Sequence, residues 1–221
     1  LLIYNTPFIH KEKMTKRYGN IRRPIEEARR LGSPQFLAGV CNRAENSRDQ
    51  CLIALTFLSG RRIGELLEVK RKDVQVYEDE ISLVTFNEKN YRRKEIGVYK
   101  LARGDRFYEQ IRPTFPTIGP TGALLSPYVL KHLEGLEPLD YVLHDLRTKS
   151  RHIGRRQALK IVVTLEPSIW LHWLRHSRFT QVAQVYRDDL MTFHDFTFHK
   201  RIENSLGYVQ RAKTQERLRE I

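Results

Sequence analysis

Three short stretches of this chain hold residues that could do chemistry on a phosphate ester. In Ser59-Gly-Arg-Arg-Ile-Gly-Glu-Leu-Leu67, two arginines stand where one apolar helix breaks and another begins. The macrodipole disfavours positive charge at a helix N-terminus, so Arg61 and Arg62 suit that place best if an anion joins them. Helix amides and guanidinium forks both offer N–H donors to phosphate oxygens. In His172-Trp-Leu-Arg-His176, positions 172, 175 and 176 share one helix face. His172 and His176 have the spacing of a metal pair, but no glutamate follows His172 and no acidic third ligand is evident, so no metal is assigned. The third stretch runs from Phe198-His199 to Tyr208. A phenol titrates near ~10 and attacks only when a base or cations ease its deprotonation. Each stretch has an ordinary alternative: a solvated basic turn with Glu65 as partner, a buried histidine beside a surface arginine, a packing tyrosine.

The elements that must position these residues are mainly helical. Pro24 to Leu31 reads as a helix opening with proline, within an entry arm of residues 1–34. A short helix is expected over Gln35–Cys41, and Ser47-Arg-Asp-Gln50 reads as a capping box opening an apolar helix to Leu58. Ser59-Gly60 ends it and Ile63–Val69 starts the next. Glu80–Phe86 and Glu95–Tyr99 alternate as two strands of a hairpin around a polar turn. Further helices are expected over Ser126–Leu133, Gln157–Val163, Ile169–Tyr186 with Ser168 as cap, and Ser205–Ile221. The fold class is therefore α+β, mainly α-helical, with a small antiparallel hairpin or sheet.

Charge sets the partner class. The 221 residues carry 39 Lys+Arg against 26 Asp+Glu, a formal charge of +13, which points to a polyanion. Arg151, Arg155 and Arg156 concentrate that charge between two elements. With 40% apolar and 29% charged residues the chain can bury a substantial core, and disorder is a poor reading. No apolar run approaches the ~18 residues of a membrane span, so a soluble, intracellular protein is expected. Cys41 and Cys51, ten residues apart, read as small buried hydrophobes rather than a disulfide scaffold or a zinc ribbon.

The order Arg with Glu three residues on, a hairpin lysine, His-x-x-Arg, then His and Tyr resembles the tyrosine recombinases, the family of phage lambda integrase, Cre and the Xer proteins. The likeness covers roughly residues 36–210. It implies that Arg62, Lys89, His172, Arg175, His199 and Tyr208 are catalytic and that Glu65 supports Arg62. Arg61 stands where the family has an apolar residue, Phe198 where it has glycine, and Ile96-Gly-Val98 where Val-Pro-Leu is frequent. Arg61 thus competes with Arg62, and Lys94 with Lys89. Arg61, Lys94, Arg151, Arg155 and Arg156 would contact DNA. His144-Asp-Leu-Arg147 also spells His-x-x-Arg, but no tyrosine follows it at the distance of Tyr208 from His172. Tyr186 is set aside because it lies on the helix of Arg175, roughly 16 Å along it.

The resemblance implies metal-free, ATP-free phosphoryl transfer. Tyr208 would attack a phosphodiester, form a 3′-phosphotyrosyl link and release a 5′-hydroxyl that Lys89 protonates, without any cofactor. Residues 35–221 would be the catalytic domain and residues 1–34 an arm or linker, a remnant of a core-binding domain in a chain trimmed from something longer. The partners implied are a double-stranded recombination site and, on DNA, three further copies of a chain that is a monomer in solution. The tail Val209–Ile221 is expected to pass to a neighbouring protomer. The competing readings are a type IB topoisomerase-like relaxing enzyme, a DNA-binding module without activity, and an RNA-binding protein.

Overall fold

Ser33 caps the first described helix by accepting a hydrogen bond from the Phe36 amide at 3.2 Å, with Pro34 at the first helical position. The structure is a computed structural model and describes residues 32–87, 109–199 and 201–217. Helix α1 (Pro34–Asn42) buries Leu37, Val40 and Cys41, the i, i+3, i+4 face that the sequence offers. Helix α2 (Ser47–Ser59) is buried along nearly its whole length and packs against α1, α4 (Gly119–Glu134) and α6 (Leu171–Val185). A helix apolar on every side is stable only at the centre of a body, and α2 occupies that centre. Gly60 then takes φ 59° and closes α2, which turns the chain into the short α3 (Ile63–Leu67).

The strands flank this body. After a 3-10 turn at Arg71–Asp73, β1 (Val74–Val76), β2 (Glu80–Leu83) and β5 (Thr114–Pro116) form an antiparallel sheet in the order β1-β2-β5. Ile81 faces Val76 on one side and Phe115 on the other. Strand β3 (Thr85–Asn87) pairs with β4 (Glu109–Ile111), and β6 (His144–Asp145) with β7 (Thr148–His152). Helices α5 (Arg155–Leu165), α7 (Leu190–Thr197) and α8 (Ile202–Arg217) complete the described chain. One core gathers around α2. A second holds Phe179, Val182, Ala183, Phe193, Tyr208, Val209 and Ala212 between α6, α7 and α8. Among the described residues no helix is long and apolar enough to cross a membrane.

Several expectations are corrected by local hydrogen bonding. Asn46, not Ser47, caps α2 by accepting from the Asp49 amide at 3.0 Å, and the Ser47 hydroxyl instead meets His132 Nδ1. Ser168 does not cap α6. Its amide donates to Glu166 Oε1 within a turn, and the helix begins at Leu171 after Trp170. Strands β1, β4, β5, β6 and β7 and helix α7 were not expected. The first part of the tail docks in cis, since Val209 and Ala212 are buried in the second core of their own chain. Helix Pro24–Leu31, strand Glu95–Tyr99, Lys89 and Lys94 lie outside the described residues.

Candidate active site

The turn after Gly60 carries the two arginines in extended backbone, and they do different things. Arg62 is the N-cap of α3: its amide donates to Glu65 Oε2 at 3.2 Å and its Nη1 to Glu65 Oε1 at 2.8 Å. Glu65 is buried and also lies 3.3 Å from Arg61 Nε. Its backbone carbonyl accepts from Thr85 Oγ1 at 3.0 Å, which ties the turn to β3. Arg62 therefore stays at the surface with one face held by a carboxylate, while Arg61 is 1% exposed. Arg61 donates through Nη2 to the Thr197 carbonyl and its guanidinium sits 5.0 Å over the Phe198 ring. Its Nη1 is buried with no hydrogen-bond partner among the described residues. Burial holds its pKa down to about 10 despite Glu65.

Helix α6 supplies the opposite wall. Arg175 points inward, 3% exposed, donating to the Gly60 carbonyl and lying 4.3 Å over Phe179. Among the described residues its Nη2 is buried without a hydrogen-bond partner. Burial first, then the nearby Arg61 and Arg62, pulls its pKa down to about 9. An arginine does not give up its proton in a protein, so this unbalanced positive charge is expressed as an appetite for an anion. Arg61, Arg62, Arg155, His172 and Arg175 line one cleft of about 420 Å³.

Tyr208 enters from α8, 8% exposed, in the interior of the helix. Its ring stacks on His176 (centroids 5.6 Å apart) and on His199 (6.0 Å), with the edges of Phe179 and Phe193 closing the pocket. The Tyr208 hydroxyl is hydrogen-bonded to His176 Nδ1, and His176 Nε2 meets His172 Nε2 at 2.8 Å. Two nitrogens sharing a tetrahedral zinc would sit about 3.4 Å apart, so the histidine pair has hydrogen-bond rather than ligand spacing. Among the described residues, no group of three or more His, Cys, Asp or Glu could hold a metal.

His199 is fixed by a hub. Thr197 Oγ1 donates to the His194 carbonyl, so it accepts from Ser205 Oγ at 3.0 Å. Ser205 Oγ is then left to accept from His194 Nδ1 and His199 Nδ1, each at 3.0 Å. That accounting assigns the His199 proton to Nδ1. Burial, then Arg175, Arg62 and Arg61, holds its pKa down to about 3, so the ring is neutral while the cleft lacks an anion.

The structure thus brings Arg61, Arg62, Glu65, His172, Arg175, His199 and Tyr208 together, with Arg155 on the cleft rim. Arg151 and Arg156 are exposed and do not line the cleft. His144, of the competing His-x-x-Arg, is in β6 and stacks on His132 at 5.5 Å, away from the cleft. His176, Ser205 and Thr197 were given no role by the sequence. Their signal was spacing: His176 is one turn beyond His172, and Ser205 lies three residues before Tyr208 on the same face.

No protein-family model matches the chain, and no curated protein sequence does. Solved structures do. A crystal structure of XerH site-specific recombinase bound to palindromic difH substrate, a post-cleavage complex, superposes with a TM-score of 0.58 at 17% identity over 90% of this chain and 51% of that one. This chain has the tyrosine recombinase fold. The pre-cleavage complex of XerH with difH substrate agrees, with a TM-score of 0.55 and 16% identity over 86% of this chain and 50% of that one. The chain spans about half the length of these recombinase chains. At that identity the likeness concerns the fold, an α+β, mainly helical body with small antiparallel sheets.

Proposed function

We propose that this chain is the catalytic unit, over residues 35–221, of a site-specific DNA recombinase that cleaves and rejoins duplex DNA through a 3′-phosphotyrosine, with residues 1–34 as an arm. The observation that carries the reading is the cleft where a surface Arg62 and a buried, under-neutralised Arg175 face one volume beside His172, with Tyr208 linked to that histidine through His176. Arg62 and Arg175 hold the non-bridging oxygens and stabilise the charge that grows there, and the Tyr208 oxygen attacks phosphorus. Lys89 protonates the leaving 5′-oxygen. His199 gains a proton partner once the phosphate offsets the arginines that keep it neutral. Bond energy is retained in the phosphotyrosine, so rejoining needs no ATP or metal. Arg155, with Lys94, Arg151 and Arg156, adds to the positive footprint that follows the DNA backbone, whereas Arg61, 1% exposed and bonded to the Thr197 carbonyl, is held inside the fold and not on that footprint; four protomers assemble on two duplexes inside the cell.

The test uses a duplex selected from random-sequence DNA by binding to the chain, then nicked so that cleavage traps the covalent product. A denaturing gel should show a protein–DNA adduct that Tyr208→Phe abolishes while duplex affinity changes little. An adduct that persists in Tyr208→Phe, or that disappears in Tyr186→Phe alone, moves the nucleophile elsewhere.

A further inference from the structure

The Tyr208 oxygen must lose a proton as it attacks, and a residue in hydrogen-bond contact with it is His176, to which neither the sequence motifs nor the reading above gives a chemical role. We propose that His176 is a catalytic residue, the base that takes the Tyr208 proton and relays its own to His172. This rests on Tyr208 being the nucleophile.

The argument is one of donors and acceptors. A neutral imidazole carries one N–H and one acceptor nitrogen. If Tyr208 donates to His176 Nδ1, the His176 proton is on Nε2 and is donated to His172 Nε2, 2.8 Å away. The three groups then form one directed chain from the phenol to the cleft. Moving each proton one step leaves Tyr208 as phenolate, His176 neutral with its proton on Nδ1, and His172 as imidazolium. The phenolate electron pair forms the O–P bond, and the P–O5′ bond breaks with its pair going to the 5′-oxygen, which takes a proton from Lys89. Atoms and charge balance: one proton enters at His172 and another leaves Lys89. On rejoining, the same steps run backwards.

Position favours this assignment over direct removal by His172. His176 stacks along the Tyr208 ring, while His172 lies edge-on to His176 (centroids 4.3 Å apart, 87° between planes) and lines the cleft. His172 therefore holds the extra positive charge next to the bound phosphate, where an anion stabilises it. Among the described residues, the charged and titratable groups around the relay are His172 and Arg175 from α6, Arg61, Arg62 and Glu65 from the turn into α3, Arg155 from α5, and His199 after α7. With four arginines to one glutamate, the cleft opposes an imidazolium at His172. Deprotonation of Tyr208 is thereby tied to the arrival of the phosphate.

The experiment compares the full wild-type chain with His176→Asn, whose Oδ1 still accepts a hydrogen bond near Nδ1 but cannot take the proton. The probe is the mapped, nicked duplex, and a version with sulfur as the 5′-bridging atom, since a thiolate departs without an acid. His176→Asn should keep duplex affinity and melting temperature and cleave both substrates at least ~10²-fold more slowly. Its rate should climb with pH across the range where the wild-type rate has levelled off. Nitrogen-15 spectra of the DNA-free wild-type chain, assigned with the His176→Asn and His172→Asn variants, should place the His176 proton on Nε2. A wild-type cleavage rate in His176→Asn, full rescue by the sulfur substrate, or a proton on Nδ1 overturns the relay alone. A wild-type chain that forms no adduct with any selected duplex instead removes the nucleophile reading, and the relay's catalytic role with it.

Discussion

Phe198 has φ 50°, and it is the one non-glycine residue with positive φ among the described residues. A side chain in the left-handed region costs roughly 1–2 kcal/mol, which glycine avoids. What meets Phe198 is Arg61, whose guanidinium covers the ring and whose Nη2 binds the carbonyl of the preceding Thr197. In the sequence these were two unrelated departures from a motif, an arginine for an apolar residue and a phenylalanine for glycine, 137 positions apart by number. In space they are one contact, and Arg61 is a bracket on the end of α7 at the buried side of the cleft, while Arg62 is the more exposed of the pair. Spacing to Glu65 already favoured Arg62, but only burial shows why both arginines are tolerated. Arg61→Met and Phe198→Gly should therefore couple: urea midpoints of the wild type, both single variants and the double variant should give an interaction energy of about 1 kcal/mol. Additivity within ~0.3 kcal/mol would mean that Arg61 does not hold Phe198 in place.

At the level of elements, what could be read from the sequence was what depends on local chemistry. The α2 break at Ser59-Gly60, the existence of α1, α3, α5 and α6, and the strand at Glu80 all follow from apolar periodicity and a glycine in the right place. Boundaries slipped where a side chain had a better partner elsewhere, as when Ser47 turned to His132 and Asn46 took the cap. Strands β1, β4, β5, β6 and β7, two to five residues each, were hidden because so short a strand has too little alternation to register and is made by its partner. Gly60 is where one element position controls the site. It has φ 59°, its added Cβ would lie 2.7 Å from the Phe179 ring, and its carbonyl receives Arg175. Gly60→Ala should cost ~2 kcal/mol in urea unfolding, from backbone strain and the clash together. It should also lower cleavage by more than the fraction unfolded explains, because both arginine walls pivot there. A cleavage loss that merely tracks the unfolded fraction would confine Gly60 to stability.

At the scale of the whole molecule, +13 charge pointed to a polyanion, but not to which cations are trapped inside the fold. Those decide its acid response. Two histidines are kept neutral: burial pushes His132 down to about 4, between Ser47 Oγ and the Val142 carbonyl, and burial with three arginines pushes His199 down to about 3. Unfolded, both take up protons near the ordinary histidine value of ~6.5. Below that pH the unfolded chain binds more protons than the folded one, so the stability these rings confer is complete above ~6.5 and is lost as pH falls toward 4. Between pH 7 and 5 most carboxylates remain ionised, and a drop in melting temperature there reports the histidines. The His132 share is of order 3 kcal/mol by pH 4. His132→Gln, which can still accept from Ser47 and donate to Val142, should flatten the curve. The His199 share answers to the cleft: a bound duplex offsets Arg175, Arg62 and Arg61, so His199 should take up its proton at milder acidity in the complex, seen as proton uptake on duplex binding near pH 5 that His199→Gln reduces. A melting temperature unchanged from pH 7 to 4.5, or uptake unaffected by His199→Gln, would show that these rings are not held neutral by the surroundings described.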